Sequence, residues 1–366
     1  MRNYKIDILR GIAIVLVLLH HFNIPYKLHD TLFGVQIFGE SITTLLARNG
    51  NYGVTLFFVI SGFLITQHSL RRDKHLANIR IKPFYVRRIA RIIPCLLLLI
   101  SMVTILGSFG LKPFINQAPN GVEVSYALTV FSALTFWMNL LIIEYGWVNY
   151  AYGVLWSLSV EEVFYVVFPL LCLLLGRGKG LILLMLAVIA YAPYFRHLHF
   201  GQESGAYLYH YFSSFDGIAI GCLTALLLQR KSISAMTQKL LIVVSSLLMV
   251  VLYLYAPIIE VSTWSISVFA LLSAVLIFAV AQKPVATAPG PMRAAWVWLG
   301  QRSYELYLFH LIVLGLIKVF YFPKTTLPAE KLMLLALFFI ASIVLSWAIE
   351  KYYSTPLNRW IRQRWE

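Results

Sequence analysis

The chain has 366 residues, 60% of them hydrophobic and only 12% charged. Soluble domains carry about 25% charged residues, so this composition excludes an ordinary soluble globule and calls for a membrane to take up the apolar surface. The net charge of +15 would point to nucleic acid in a soluble protein, but here the basic residues lie between apolar runs, where they orient the chain.

The first apolar run, Ile8–Leu19, follows Arg2 and Lys5 and leads into His20-His21-Phe22-Asn23. No small-x-small cleavage site follows it, so the run is a span and not a signal peptide. Further apolar stretches follow at 53–70, 93–111, 126–143, 159–175, 180–195, 206–228, 239–256, 263–281, 303–321 and 331–351, the first being 8–25. Each approaches the length that crosses a core of about 30 Å. The longest polar breaks are 71–92 and 283–298. No repeat, low-complexity tract or soluble domain interrupts the series, and residues 1–366 are expected to form one integral membrane domain. Cys95, Cys172 and Cys222 lie in or at the edge of apolar runs; their odd number and spacing fit packing, not a disulfide framework or a metal site.

Basic loops set the topology. Arg2 and Lys5, the loop 71–92 with Arg71, Arg72, Lys74, Arg80, Lys82, Arg87 and Arg88, the pair Arg230 and Lys231, and the tail with Arg359, Arg362 and Arg364 all read as cytoplasmic. Arg177 and Lys179 do too. Both ends inside requires an even number of crossings, and so does the stretch between 92 and 176, where three candidates stand. Either 126–143 or the polar-aromatic Tyr145–Trp156 is therefore expected to be re-entrant or interfacial. Irregular backbone at membrane depth belongs beside a cavity. The expected fold is an all-α polytopic membrane protein of about ten transmembrane helices with both termini cytoplasmic.

Ionisable residues inside spans are costly and mark functional sites. Arg10 and His21 are eleven residues apart on the first span, hence on one face and about 16–17 Å apart along it, with His20 turned away. The structural alternative is a snorkelling arginine and a hydrogen-bonded core histidine. Gly53–Thr66 opens the second span, and its glycines and Ser61 suit close helix packing. Arg88 and Arg91 follow one helical turn apart, a donor pair fit for phosphate, or else orientation charge. Glu161 and Glu162 open the fifth span, Asp216 lies in the seventh, and Glu305 and His310 in the tenth.

These segments together resemble the acyltransferase 3 family of integral membrane acyltransferases. The resemblance rests on Arg10-x10-His21, Gly53–Thr66, Arg87-Arg88-x2-Arg91-Ile-x-Pro94, Trp156-Ser-Leu-x2-Glu161-x2-Phe-Tyr165, Phe215-Asp216-Gly-x3-Gly221 and Ser303-Tyr304-x2-Tyr307-x2-His310. It implies transfer of an acyl group, usually acetyl from acetyl-CoA, to sugars or other acceptors of the cell envelope, in a bacterial plasma membrane. It also implies His21 and Glu161 as catalytic residues and Arg10, Arg88 and Arg91 as acyl-CoA-binding residues. Asp216, Tyr304, Tyr307 and His310 are substrate-site or structural positions. No metal and no permanently bound cofactor are implied; acyl-CoA is a co-substrate, and membrane lipids and a glycan or lipid-linked sugar are partners. Some members carry a fused esterase-like domain; this sequence is expected to be a stand-alone membrane domain. Departures from the family pattern are Thr55 where many members have Asp, Ser214 where many have Arg, and Ser354-Thr-Pro356 where Glu-x-Pro is frequent.

On this basis the arginines hold the CoA phosphates at the cytoplasmic face and His21 serves as general base, with Glu161 orienting or charge-balancing it, or else an acyl-enzyme forms on His21 or a tyrosine. The competing functions are a transporter or flippase of an acylated glycan or lipid and a non-catalytic scaffold. The absence of an internal repeat weighs against the first, and the spacing of His21, Glu161 and the arginines against the second.

Overall fold

A computed structural model describes residues 3–31, 36–37, 40–282 and 290–366 of the chain. In chain order the helices begin with α1 (Tyr4–Tyr26), α2 (Ile42–Ala47), α3 (Asn51–Asp73), α4 (Ile81–Ser108), α5 (Tyr126–Leu134) and α6 (Met138–Tyr145). There follow α7 (Leu155–Leu175), α8 (Gly180–Leu198), α9 (Ala206–Tyr209), α10 (Phe215–Arg230) and α11 (Ala235–Tyr255). The last are α12 (Ile258–Ala281), α13 (Pro291–Gln301), α14 (Ser303–Phe320), α15 (Pro328–Ile349) and α16 (Thr355–Trp365). The described strands are a two-residue antiparallel pair, Gln36–Ile37 with Glu40–Ser41.

The chain is a polytopic, all-helical membrane protein. Among the described residues, 9 helical stretches are long and apolar enough to cross a membrane: those of α1, α2–α3, α4, α7, α8, α11, α12, α14 and α15–α16. The expected span 206–228 is realised as α9, a 3₁₀ turn and the 16-residue α10, about 24 Å of helix. The expected polar break 71–92 is half helix, because α4 begins at Ile81 and carries the arginines on its first turns.

The parity conflict between 92 and 176 is resolved at 126–143, which is no single span. Ser125 caps α5 by accepting the Leu128 amide at 3.2 Å. The helix stops at Thr135, and Phe136 takes a left-handed conformation with φ 61°. The next helix, α6, starts under a cap from elsewhere, the Ser159 hydroxyl accepting the Met138 amide at 3.2 Å. Gly146, φ 81°, then turns the chain out of α6. From there to Val154 the backbone is irregular. Part of it is satisfied by the Gln117 backbone N–H, which donates to the Val148 carbonyl (2.7 Å), and the Asn149 side chain ties the segment to the Phe114 carbonyl (3.3 Å) and to Asn116 (3.1 Å). Non-helical backbone at membrane depth needs such partners, since lipid supplies none.

The chain divides into two compact units of interleaved segments. Unit 1 comprises Met1–Val15, Asn51–Arg80 and Val160–Gln301; unit 2 comprises Leu16–Gly50, Ile81–Ser159 and Arg302–Glu366. In unit 1, α3 and α10 approach closely. A Cβ on Gly62 would lie 2.0 Å from the Ile218 carbonyl oxygen, and one on Gly221 would lie 2.1 Å from that of Val59. Small residues at such crossings let backbones touch where hydrophobicity cannot drive association. In unit 2, α14 is the central element, buried along most of its length from Ser303 to Ile317.

Candidate active site

Within unit 2, α1 and α14 bring two imidazoles together. The rings of His21 and His310 lie 4.8 Å apart, centroid to centroid, at 63°. His21 is partly exposed, whereas His310 is 1% exposed. Each ring is fixed by its own helix: His21 Nδ1 donates to the Val17 carbonyl at 2.9 Å and His310 Nδ1 to that of Leu306 at 3.0 Å. A carbonyl oxygen only accepts, so the neutral rings carry their proton on Nδ1. Both Nε2 atoms are left as lone-pair bases. His310 Nε2 is buried without a hydrogen-bond partner among the described residues, a costly arrangement that calls for an explanation. His20, as its position on the helix requires, turns elsewhere, its Nδ1 2.8 Å from the Ala47 carbonyl.

Tyr307 lies one turn before His310, its ring 6.1 Å from the imidazole. Its hydroxyl is 2.5 Å from that of Ser157 and 3.3 Å from the Val154 carbonyl. The irregular segment thus ends against the residues beside the histidine pair. Further along α14, Glu305 accepts the Ser354 hydroxyl at 2.7 Å. The serine at the position where this chain departs from Glu-x-Pro therefore serves a buried carboxylate.

The arginines are on α4. Arg91 lies over the Tyr304 ring at 5.6 Å, and Tyr304 donates to the Ile92 carbonyl at 3.3 Å. Arg88 lies 5.9 Å from the centroid of the Phe84 ring. Arg88 is half-buried and Arg91 exposed. A guanidinium stacked on an aromatic face carries its N–H donors along its edge, the geometry that anion recognition uses. Arg87 is engaged otherwise, with Glu366.

In unit 1, Glu161 is held by two hydroxyls. It accepts from Ser61 of α3 at 2.5 Å and from Tyr165 one turn on in α7. Ser61, read from the sequence as packing, is therefore a carboxylate ligand. His21 and Glu161 fall in different units, and the Nδ1 proton of His21 is taken by a backbone carbonyl rather than a carboxylate. Arg10, also in unit 1, faces Asp7 across 3.8 Å, and both are buried. Asp7 was legible as an i,i+3 partner but lies outside the motifs.

Asp216 belongs to a closed network. Arg196 of α8 donates to its carboxylate at 3.0 Å, Ser267 donates to the same oxygen at 2.6 Å, and the Gly217 amide donates to the other at 2.9 Å. Arg196 also reaches the Ser213 carbonyl (2.6 Å) and the Thr263 carbonyl (3.3 Å). Both charges are 0% exposed. The arginine missing at position 214 is thus supplied by another helix. The sequence signal for Arg196 was an arginine at the end of an apolar run, indistinguishable there from an orientation charge.

A family profile described as an acyltransferase domain matches residues 3–351. The chain is 28% identical over 165 residues to the peptidoglycan O-acetyltransferase OatA of Listeria monocytogenes, covering 45% of this chain and 23% of that protein. It is 24% identical over 342 residues to the O-acetyltransferase OatA of Staphylococcus aureus strain NCTC 8325, covering 86% of this chain and 51% of that one. The chain therefore spans about half the length of the second relative and less of the first. No solved structure matches it. With the profile running across nearly the whole sequence and the apolar helices to carry it, the chain belongs to the acyltransferase 3 family and is a multi-pass membrane protein.

Proposed function

We propose that the protein moves an acyl group, acetyl in the simplest case, from acyl-CoA to a hydroxyl of a cell-envelope carbohydrate. The observation that carries this reading is the His21–His310 pair, two imidazoles whose Nδ1 atoms are bonded to backbone carbonyls and whose Nε2 atoms are not. The names of the relatives support the acetyl group and a glycan acceptor. The Arg88 and Arg91 guanidinia on the first turns of α4 suit the phosphates of CoA.

In the proposed reaction the acceptor oxygen attacks the thioester carbonyl carbon while His21 Nε2 takes the hydroxyl proton. The tetrahedral intermediate collapses, the C–S bond breaks, and the departing thiolate receives that proton from the imidazolium. His21 is the base of choice because its imidazole is the accessible member of the pair. His310, enclosed behind it, holds the ring in place by contact and offers a second lone pair to the imidazolium proton. Glu161 with Ser61 and Tyr165 forms a separate polar group of unit 1, for which we propose a part in positioning the reactants.

The test is transfer from radiolabelled acetyl-CoA in membranes expressing the wild type or His21→Ala, with label followed into glycan, lipid and protein fractions. Label in the glycan fraction that disappears with the variant supports the reading. Undiminished transfer by His21→Ala sinks it.

A further inference from the structure

Lys318 lies on α14 eight residues beyond His310, about 12 Å further along the helix toward the end that the basic-loop topology places outside. A lysine at the end of a span ordinarily extends its ammonium to the interface. Lys318 does otherwise. Its Nζ sits 3.7 Å from the centroid of the Tyr150 ring, and the side chain is half-buried. No carboxylate is within ion-pair distance of it among the described residues; the other lysine at this end of unit 2, Lys331, has Asp30 at 2.6 Å. The Tyr150 hydroxyl is buried and has no hydrogen-bond partner among the described residues, so the ring keeps its place by packing beneath the ammonium.

Tyr150 belongs to the irregular segment Gly146–Val154, and that segment runs alongside α14. Gly153 stands beside Leu311 and Trp147: a Cβ there would lie 3.5 Å from a side-chain atom of each. Val154 accepts the Tyr307 hydroxyl at 3.3 Å. One stretch of chain thus joins the Lys318 ammonium to the residues flanking the histidine pair. A cation desolvated on an aromatic face and lacking an acid interacts strongly with an incoming anion.

We propose that Lys318, held on Tyr150, is a binding site for an anionic group, carboxylate or phosphate, carried by the acceptor sugar. The proposal rests on the acyltransferase reading above and assigns it an acidic or phosphorylated acceptor. The inward turn of the side chain onto the bundle, in place of extension toward headgroups, favours an acceptor group over a lipid phosphate.

Two measurements on the full chain test it. In the first, the protein in a non-ionic detergent is reductively methylated with ¹³C, and the Lys318 signal is assigned by its loss in Lys318→Arg. It is then titrated with glucuronate, glucose 6-phosphate, glucose and phosphatidylglycerol. A shift with glucuronate or glucose 6-phosphate but not with glucose supports the site and names the anion. No shift with either acidic sugar, an equal shift with glucose, or a shift with the lipid alone overturns it. In the second, acetyl transfer to envelope glycan is compared for wild type, Lys318→Gln and Lys318→Arg. Lys318→Gln is expected to lose at least about tenfold at limiting acceptor, the scale of one charge-assisted hydrogen bond, with acyl-CoA binding unchanged and Lys318→Arg in between. Wild-type transfer by Lys318→Gln overturns the acceptor role. Were the wild type to transfer nothing, the acyltransferase reading would fail, and the titration would still decide whether Lys318 binds the anion.

Discussion

His21 and His310 face one another at 4.8 Å with the same tautomer, each fixed by the carbonyl four residues before it. His21→Ala is expected to lower transfer by about 10²–10⁴-fold, the usual worth of a general base. His310→Asn keeps a donor for the Leu306 carbonyl and removes Nε2 with the outer part of the ring; its expected cost is smaller, about tenfold in turnover, with the KM for acyl-CoA unchanged. Steady-state kinetics on purified protein separate the two. Equal KM and kcat changes in His310→Asn would show a packing role alone.

Arg88→Ala with Arg91→Ala is expected to raise the KM for acyl-CoA at least about tenfold, since two charge-assisted contacts to phosphate are removed. Arg91→Lys keeps the charge and loses the planar stack on Tyr304, so an intermediate KM is expected. Equilibrium binding of CoA, with and without added salt, checks both.

The Arg196–Asp216 pair makes an asymmetric prediction. Arg196→Ala leaves a buried carboxylate with no cation and is expected to cost about 3–5 kcal/mol. Replacing both, as Arg196→Met with Asp216→Leu, is expected to restore much of that loss. Thermal unfolding in detergent of the single and double variants measures it, and purely additive losses would contradict the ion-pair account.

At the other end of unit 2, Lys331 holds the Asp30 carboxyl below its usual range. A carboxylate whose pKa is lowered on folding stabilises the fold fully above its unfolded pKa and loses that contribution as pH falls through the folded value. The Asp30–Lys331 tie is therefore intact at neutral pH and dissolves in acid. Asp30→Asn should flatten the acid limb of the melting curve, and an unchanged limb would show that the tie carries no stability.

Much of the fold is written in the apolar runs, because a bilayer imposes length and composition on every crossing. The helices α1, α3, α7, α8, α11, α12, α14 and α15 all fall on expected stretches. What composition alone misjudges is 126–143. It is apolar enough to span, yet Phe136 and the cap from Ser159 break it, and a cap supplied by another helix leaves no local trace. The candidate site is legible to a similar degree. The positions of His21 and His310 on their helices can be read from the sequence, but their meeting depends on how α1 packs on α14. Ser61 as a ligand of Glu161 and Arg196 as the partner of Asp216 are long-range pairings, and a hydroxyl or an arginine in an apolar run carries no mark of the partner it will find.

The distance along the chain between the two histidines also bears on biogenesis. His21 stands on α1 and His310 on α14, so the ribosome makes the first imidazole long before the second. A nascent chain released before α14 carries a base with no companion ring, and the irregular segment 146–154 waits as long for the helix that flanks it. On the proposed mechanism, competence for catalysis would come only once α14 is inserted, which would keep chains that lack it from consuming thioester.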